Sequence, residues 1–211
     1  SLSTKIGKAC YIPIGHKTKK NIDKDKVLKK LKPLLEDSSI KKIGQNIKFD
    51  FIVLYKNGID ITSIEDTMLM SYVLDAGKNR HNMDTLSEIH LNHKTVAFKD
   101  VVGSGKKEIN FSQVDIEKAK DYAAEDADIT FRLYKIFLKS LKVEKLLNVY
   151  ELFEKPLIRI LADMEIKGIR LDKSSLSKLS SKFSSKIEKL EKAIFKISKQ
   201  KFNIGSTKQL G

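Results

Sequence analysis

Ile40-Lys41-Lys42-Ile43-Gly44-Gln45-Asn46-Ile47-Lys48-Phe49-Asp50 is where the chain changes its period. Ile40 and Ile43 bound a short strand-like run, and Gly44-Gln45-Asn46 breaks it. Phe49, Ile52, Val53 and Leu54 then recur as on a helix over residues 47–55, which Asn57-Gly58 closes as a C-cap should. Strand, turn and helix in that order predict an α/β domain.

The alternation continues outward. Residues 59–64 return as a strand, and Asp66 caps a helix carrying Met68, Leu69, Tyr72 and Val73. Upstream, Ala9-Cys10-Tyr11-Ile12-Pro13-Ile14 reads as a strand. Residues 23–36 place Val27, Leu28, Leu31, Leu34 and Leu35 at helical spacing. Downstream, residues 82–91 form a helix that starts near Asn82 or Asp84. Residues 94–110 read as an irregular loop around Gly103-Ser104-Gly105-Lys106-Lys107, a glycine cluster without the spacing of a phosphate-binding loop.

From Val114 the chain is expected to be helical almost throughout. Ser112 or Asp115 caps a helix to about residue 141. Pro156 falls in the first turn of a helix over 157–166, ended by Lys167-Gly168. Residues 173–199 form a long amphipathic helix with Leu176, Leu179, Phe183, Ile187, Leu190 and Ile194 on one stripe and Lys178, Lys182, Lys186, Lys189, Lys192, Lys196 and Lys199 elsewhere. A boundary is expected near residues 142–148, where alternation gives way to helices alone.

A length of 211 residues suffices for a real core, and a hydrophobic content of 41% is ordinary for a globular protein. No apolar run approaches a membrane span. Cys10 is the only cysteine, which excludes an intramolecular disulfide and a thiolate metal cluster and fits a reducing cytoplasm. Forty-one Lys and Arg against 27 Asp and Glu give a formal net charge of +14, which favours a polyanionic partner such as nucleic acid. Ser1 at one end and Gly211 after a polar run at the other suggest a piece of a longer chain.

Against that basic background stands one acidic knot, Lys120-Asp121-Tyr122-Ala123-Ala124-Glu125-Asp126-Ala127-Asp128. A helix stacks Tyr122 and Asp126 on one face, and the alanines keep the flanks small. Gathered carboxylates can hold a divalent cation through hard oxygen ligands, or they can form an ordinary solvated helix face. Asp50 is open in the same way, either as a first-turn acid facing the helix dipole or as a second metal carboxylate. Metal-assisted phosphodiester hydrolysis uses such carboxylates to hold two ions about 3.5–4 Å apart, and a nearby tyrosine can orient the attacking water.

Gly44-Gln45-Asn46-Ile47-Lys48-Phe49-Asp50 resembles the second exonuclease motif of the bacterial family A (DNA polymerase I) polymerases. Tyr122-Ala123-Ala124-Glu125-Asp126 resembles their third, Tyr-x-x-x-Asp. Asp66-Thr67-Met68-Leu69, Arg80-His81-Asn82-Met83-Asp84 and His93-Lys94-Thr95-Val96-Ala97-Phe98 match in order between them. Residues 156–172 and Phe202-Asn203-Ile204-Gly205-Ser206-Thr207-Lys208-Gln209-Leu210 resemble the entry to the polymerase domain.

The resemblance covers essentially the whole chain. It implies an RNase H-like (DnaQ-like) 3′–5′ proofreading exonuclease domain over residues 1–141, followed over 142–211 by the first thumb helices. By the same resemblance Asp50 and Asp126 are expected to bind Mg²⁺ or Mn²⁺, and Tyr122 to position the water. Gln45, Asn46 and Arg80 are expected to hold the terminal nucleotides, and Phe98 to pack against a frayed base. Lys182, Lys186 and Lys189 are expected to grip duplex DNA through its backbone. The implied setting is the bacterial cytoplasm and nucleoid, with a monomeric parent.

The family's first motif, an Asp-x-Glu on an opening strand, has no counterpart on a strand here. Asp163-Met164-Glu165 lies in a predicted helix, where the two acids diverge. The expectation is therefore a domain lacking its first strand, with little nuclease activity of its own. The alternative is a catalytically silent scaffold that only binds DNA.

Overall fold

The computed structural model describes residues 1–17 and 21–210. The chain forms two compact units, Ser1–Lys167 and Gly168–Gly211.

The first unit opens with a hairpin, β1 (Leu2–Lys5) antiparallel to β2 (Lys8–Cys10), pairing Leu2 with Cys10 and Lys5 with Lys8. Gly7 at φ 75° makes the tight return possible. The strand expected through Ile14 stops at Cys10, and Pro13, which has no N–H for a ladder, instead accepts the Ile22 amide at 2.8 Å. Helix α1 (Lys24–Glu36) begins at Asp23, whose carboxylate accepts the Lys26 amide at 2.8 Å.

β3 (Lys42–Gly44), α2 (Ile47–Tyr55) and β4 (Ile64–Asp66) form a βαβ unit, the two strands pairing in parallel. α2 has the bounds expected from its sequence. The strand expected over 59–64 shrinks to its last residue. Ile59 and Ile61 are buried as expected, yet the amides of Ile59 and Thr62 go to the carbonyls of Leu54 and Leu35 rather than to a neighbouring strand. Helices α3 (Thr67–Asp75) and α4 (Met83–Leu91) follow, capped by Asp66 and Asn82.

Residues 94–110 are more regular than expected. They contain α5 (Phe98–Val102) and a 3₁₀ turn at Gly105–Lys107, because Val101 and Val102 bury against Val114 and Ala119 and anchor the segment. Helix α6 (Ile116–Val143) is capped by Asp115, while Ser112 lies in a separate turn, Phe111–Gln113. Its Ile129, Leu133, Tyr134, Phe137 and Leu141 form the main core with Met70, Leu86 and Tyr150. Both two-stranded sheets pack on α6, and no hydrogen-bonded ladder joins them among the described residues.

After α6 the chain turns into α7 (Leu147–Val149), a π-helical turn (Tyr150–Glu154) and α8 (Lys155–Lys167). Ile158 and Ala162 of α8 enter a second core cluster with Leu35, Ile47 and Phe51. Packing therefore carries the first unit through Lys167, beyond the 142–148 stretch. The second unit contains α9 (Lys173–Ser198), capped by Asp172, and α10 (Thr207–Leu210). The expected apolar stripe of α9 is exposed, with Phe183 at 55%. No described helix is long and apolar enough to cross a membrane.

Candidate active site

Asp50 lies in the first turn of α2, so the start of that helix decides where its carboxylate points. A Cβ at Gly44 would stand 2.8 Å from Ile47 Cγ1, so only glycine lets β3 run this close to the helix. Asn46 follows in the left-handed region at φ 57°. Asp66 then fastens the turn. Its Oδ1 accepts the amides of Asn46 (3.1 Å) and Met68 (2.8 Å), and its Oδ2 accepts that of Ile47 at 2.9 Å. One buried carboxylate thus satisfies the first amides of both α2 and α3.

The acidic knot is sorted by its partners. Asp121 lies 3.5 Å from Lys120. Glu125 accepts from the His93 ring at 2.8 Å and from the Val96 amide at 2.7 Å. Asp128 accepts the Gly7 amide at 2.6 Å and pairs with Arg132 at 2.6 Å. Glu125 and Asp128 thus tie α6 to the residues before α5 and to the opening hairpin, while Asp121 pairs, among the described residues, only with its neighbour in the chain. Asp126 is left facing Tyr122, and no Lys or Arg pairs with it or with Asp50 among the described residues.

Asp50 and Asp126 each act electrostatically on the Ser1 amino group at the start of β1, which burial leaves less basic than usual. Desolvation pushes Asp126 up to about 6, reinforced by Glu125 and Asp84 and opposed by the Tyr122 hydroxyl and the Ser1 amino group. Asp50, an exposed residue, also shifts upward, mainly through desolvation by the groups crowded around its carboxylate and further through Asp66, against its own backbone and the Ser1 amino group. Tyr122 moves up through desolvation and the Asp126 charge, so its hydroxyl keeps its proton at neutral pH.

Two carboxylates without a Lys or Arg side chain to balance them, Asp126 partly buried and Asp50 open to solvent, suit a hard divalent cation in charge and ligand type. They supply only part of a coordination sphere, and no group of three His, Cys, Asp or Glu with ligand geometry occurs among the described residues. Asp163 and Glu165 do not extend it: Asp163 lies 3.6 Å from Arg159, and Glu165 pairs with Lys48.

The other expected residues are distributed around this point. Gln45 is engaged at both ends, its Nε2 donating to the His81 carbonyl at 2.8 Å and its Oε1 accepting from Thr67 Oγ1 at 2.5 Å. It ties the turn before α2 to the loop that carries Arg80, which is exposed, as is Asn46. Phe98, 49% exposed, stacks on Phe111 with centroids 6.1 Å apart and lies 5.9 Å from the Tyr122 ring. Lys182, Lys186 and Lys189 are exposed on α9 in the second unit.

Sequence reasoning missed the reach of Asp66 and the contact of Phe111 with Tyr122 at 6.1 Å. Asp66 was legible as the cap of α3, but its bonds to residues 19 and 20 positions upstream leave no trace in local spacing.

A family model described as 3′–5′ exonuclease matches residues 1–142. DNA polymerase I of Rhizobium leguminosarum is 45% identical over 99% of this chain and 22% of its own length. DNA polymerase I of Pseudomonas aeruginosa is 40% identical over 100% of the chain and 24% of its own length. The chain thus spans under a quarter of these curated relatives. Among solved structures, the POL domain of Pol1 from M. smegmatis in complex with DNA primer-template and dNTP has a TM-score of 0.67 at 23% identity, covering 92% of this chain and 30% of that one.

Proposed function

Because the chain belongs to the 3′–5′ exonuclease family, we propose that residues 1–141 are the proofreading module of a bacterial family A DNA polymerase, acting on a single-stranded 3′ end of DNA. Residues 142–211 open its thumb in this reading. The observation that carries it is Asp126 set against the Tyr122 hydroxyl on α6 and Asp50 in the first turn of α2, neither paired with a Lys or Arg side chain among the described residues, within the stretch matched by the exonuclease family.

Mg²⁺ or Mn²⁺ held by Asp50 and Asp126 would supply an activated water and stabilise the leaving oxygen. The chain's own residues supply the positioning. Tyr122, protonated at neutral pH, acts as a hydrogen-bonding group that orients the water rather than as a base. Water oxygen bonds to phosphorus as the bond to the 3′ oxygen breaks, and the terminal nucleotide leaves with its 5′ phosphate. Asn46 and Arg80 hold the terminal phosphate and sugar, and Gln45 keeps their two loops together. Phe98, backed by Phe111 and Tyr122, stacks on the frayed base. Lys182, Lys186 and Lys189 neutralise phosphates of the duplex.

Two carboxylates are fewer than two-metal chemistry needs, so these 211 residues alone have little nuclease activity in this account. The same shortage favours a second reading, a DNA-binding scaffold without chemistry of its own. The test is digestion of a 5′-labelled single-stranded oligonucleotide with Mn²⁺, by this chain and by the chain extended with an upstream Asp-x-Glu strand. A ladder shortened from the 3′ end by the extended chain alone, lost on Asp126→Ala, supports the nuclease. DNA binding without a ladder from either leaves the scaffold. The parent is further proposed to be a monomer in the bacterial cytoplasm, associated with the nucleoid.

A further inference from the structure

Tyr150 lies beyond the residues matched by the exonuclease family, on the π-helical turn between α7 and α8, and it is 0% exposed. Its hydroxyl donates to Glu65 Oε2 at 3.0 Å and accepts the Asp66 amide at 2.9 Å. Glu65, 1% exposed, is held on its other oxygen by Lys41 at 3.1 Å and Lys155 at 3.0 Å. Buried polar groups cannot replace lost partners with water, so this arrangement gives the end of β4 one place to sit. The widened π turn belongs to the same device, since it directs a ring from the α7–α8 segment onto the strand.

The bonds continue from there to the start of α2. The Asp66 amide binds Tyr150, and the Asp66 carboxylate binds the amides of Asn46 and Ile47. Those residues begin α2, whose first turn carries Asp50.

We propose that Tyr150 is a positioning residue for the Asp50 carboxylate, contributed by a segment outside the exonuclease family match and acting through Asp66. The role rests on the reading of Asp50 as a metal carboxylate. Tyr150 touches neither substrate nor metal. It fixes the height of β4, and with it the cap that sets the entry of α2. Groups behind a ligand tune metal affinity as the ligands themselves do.

The test uses the 211-residue chain, Mn²⁺ titration and amide hydrogen exchange, none of which requires nuclease activity. Tyr150→Phe keeps every ring carbon and removes only the hydroxyl. The expected result is Mn²⁺ affinity weakened by about tenfold, the low end of outer-shell effects. Exchange at the Asn46 and Ile47 amides should accelerate while that at Leu133, in the middle of α6, does not. Leu141→Ala controls for lost stability, because it opens the core that Tyr150 shares without touching β4; its Mn²⁺ affinity should stay as in the unaltered chain. Equal affinity in Tyr150→Phe and the unaltered chain, with Asp50→Asn abolishing binding, overturns the role of Tyr150 alone. So does equal weakening in Leu141→Ala. Unchanged binding in Asp50→Asn removes the metal reading of the site and this role with it.

Discussion

Asp66 Oδ2 accepts the Ile47 amide at 2.9 Å, although the two residues start different helices. With Oδ1 on Asn46 and Met68, one buried side chain closes the entry of α2 and of α3 together. The catalytic geometry proposed for Asp50 depends on that shared cap. Asp66→Asn replaces one acceptor oxygen by a donor facing other donors. It should cost about 2–4 kcal/mol, the sum of the lost Ile47 cap and the buried donors then left facing each other. Urea unfolding of the two proteins measures it; a loss under about 0.5 kcal/mol would show that the cap is not shared.

Asp126 predicts an unusual pH profile. Its folded pKa of about 6 lies above the ordinary 3.8, so the folded state holds the proton more tightly than the unfolded one. The sign follows: stability is highest below about pH 4 as far as this group is concerned, and falls as pH rises to about 6. At full strength the difference is about 3 kcal/mol, reduced by the solvent that reaches the site. Asp126→Asn should therefore melt at a higher temperature than the unaltered chain at pH 7.5, with the gap narrowing toward pH 4.5. A variant that melts lower at pH 7.5 would place Asp126 in a favourable ion pair instead.

Much of this was legible in the chain itself. α2 was bounded by Gly44-Gln45-Asn46 before it and Asn57-Gly58 after it, and the structure keeps both ends. Residues 59–64 misled because alternating burial is shared by strands and by extended chain whose amides find helix carbonyls. α5 is five residues long, too short for a period to show. The site was half legible. Spacing put Tyr122 and Asp126 on one helix face and left a metal site or a solvated face open, while which carboxylates of the knot tie elements together depended on His93, Gly7 and Arg132, which only the fold brings there.

Phe98 separates binding from stability. Its ring is half exposed and rests on Phe111 and Tyr122. Phe98→Ala should change unfolding free energy by under about 1 kcal/mol. It should weaken single-stranded DNA binding by about 1–3 kcal/mol, the worth of one stacked base. Fluorescence anisotropy with a short oligonucleotide reads the second quantity, and unchanged affinity would remove Phe98 from the strand path.

The lysines of α9 predict a salt response. If Lys182, Lys186 and Lys189 each neutralise a phosphate, changing all three to alanine should lower the slope of log affinity against log salt by about 2.7 for duplex DNA. An unchanged slope would assign duplex contact elsewhere.

The central claim is that Asp50 and Asp126 address one divalent ion. Paramagnetic broadening by Mn²⁺ in an amide NMR spectrum tests it most directly. The account predicts that amides near Asp50 and near Asp126 broaden together, at the same Mn²⁺ concentration, and that Asp126→Asn suppresses both. Broadening of one region alone, or broadening near Asp50 that survives Asp126→Asn, would contradict it.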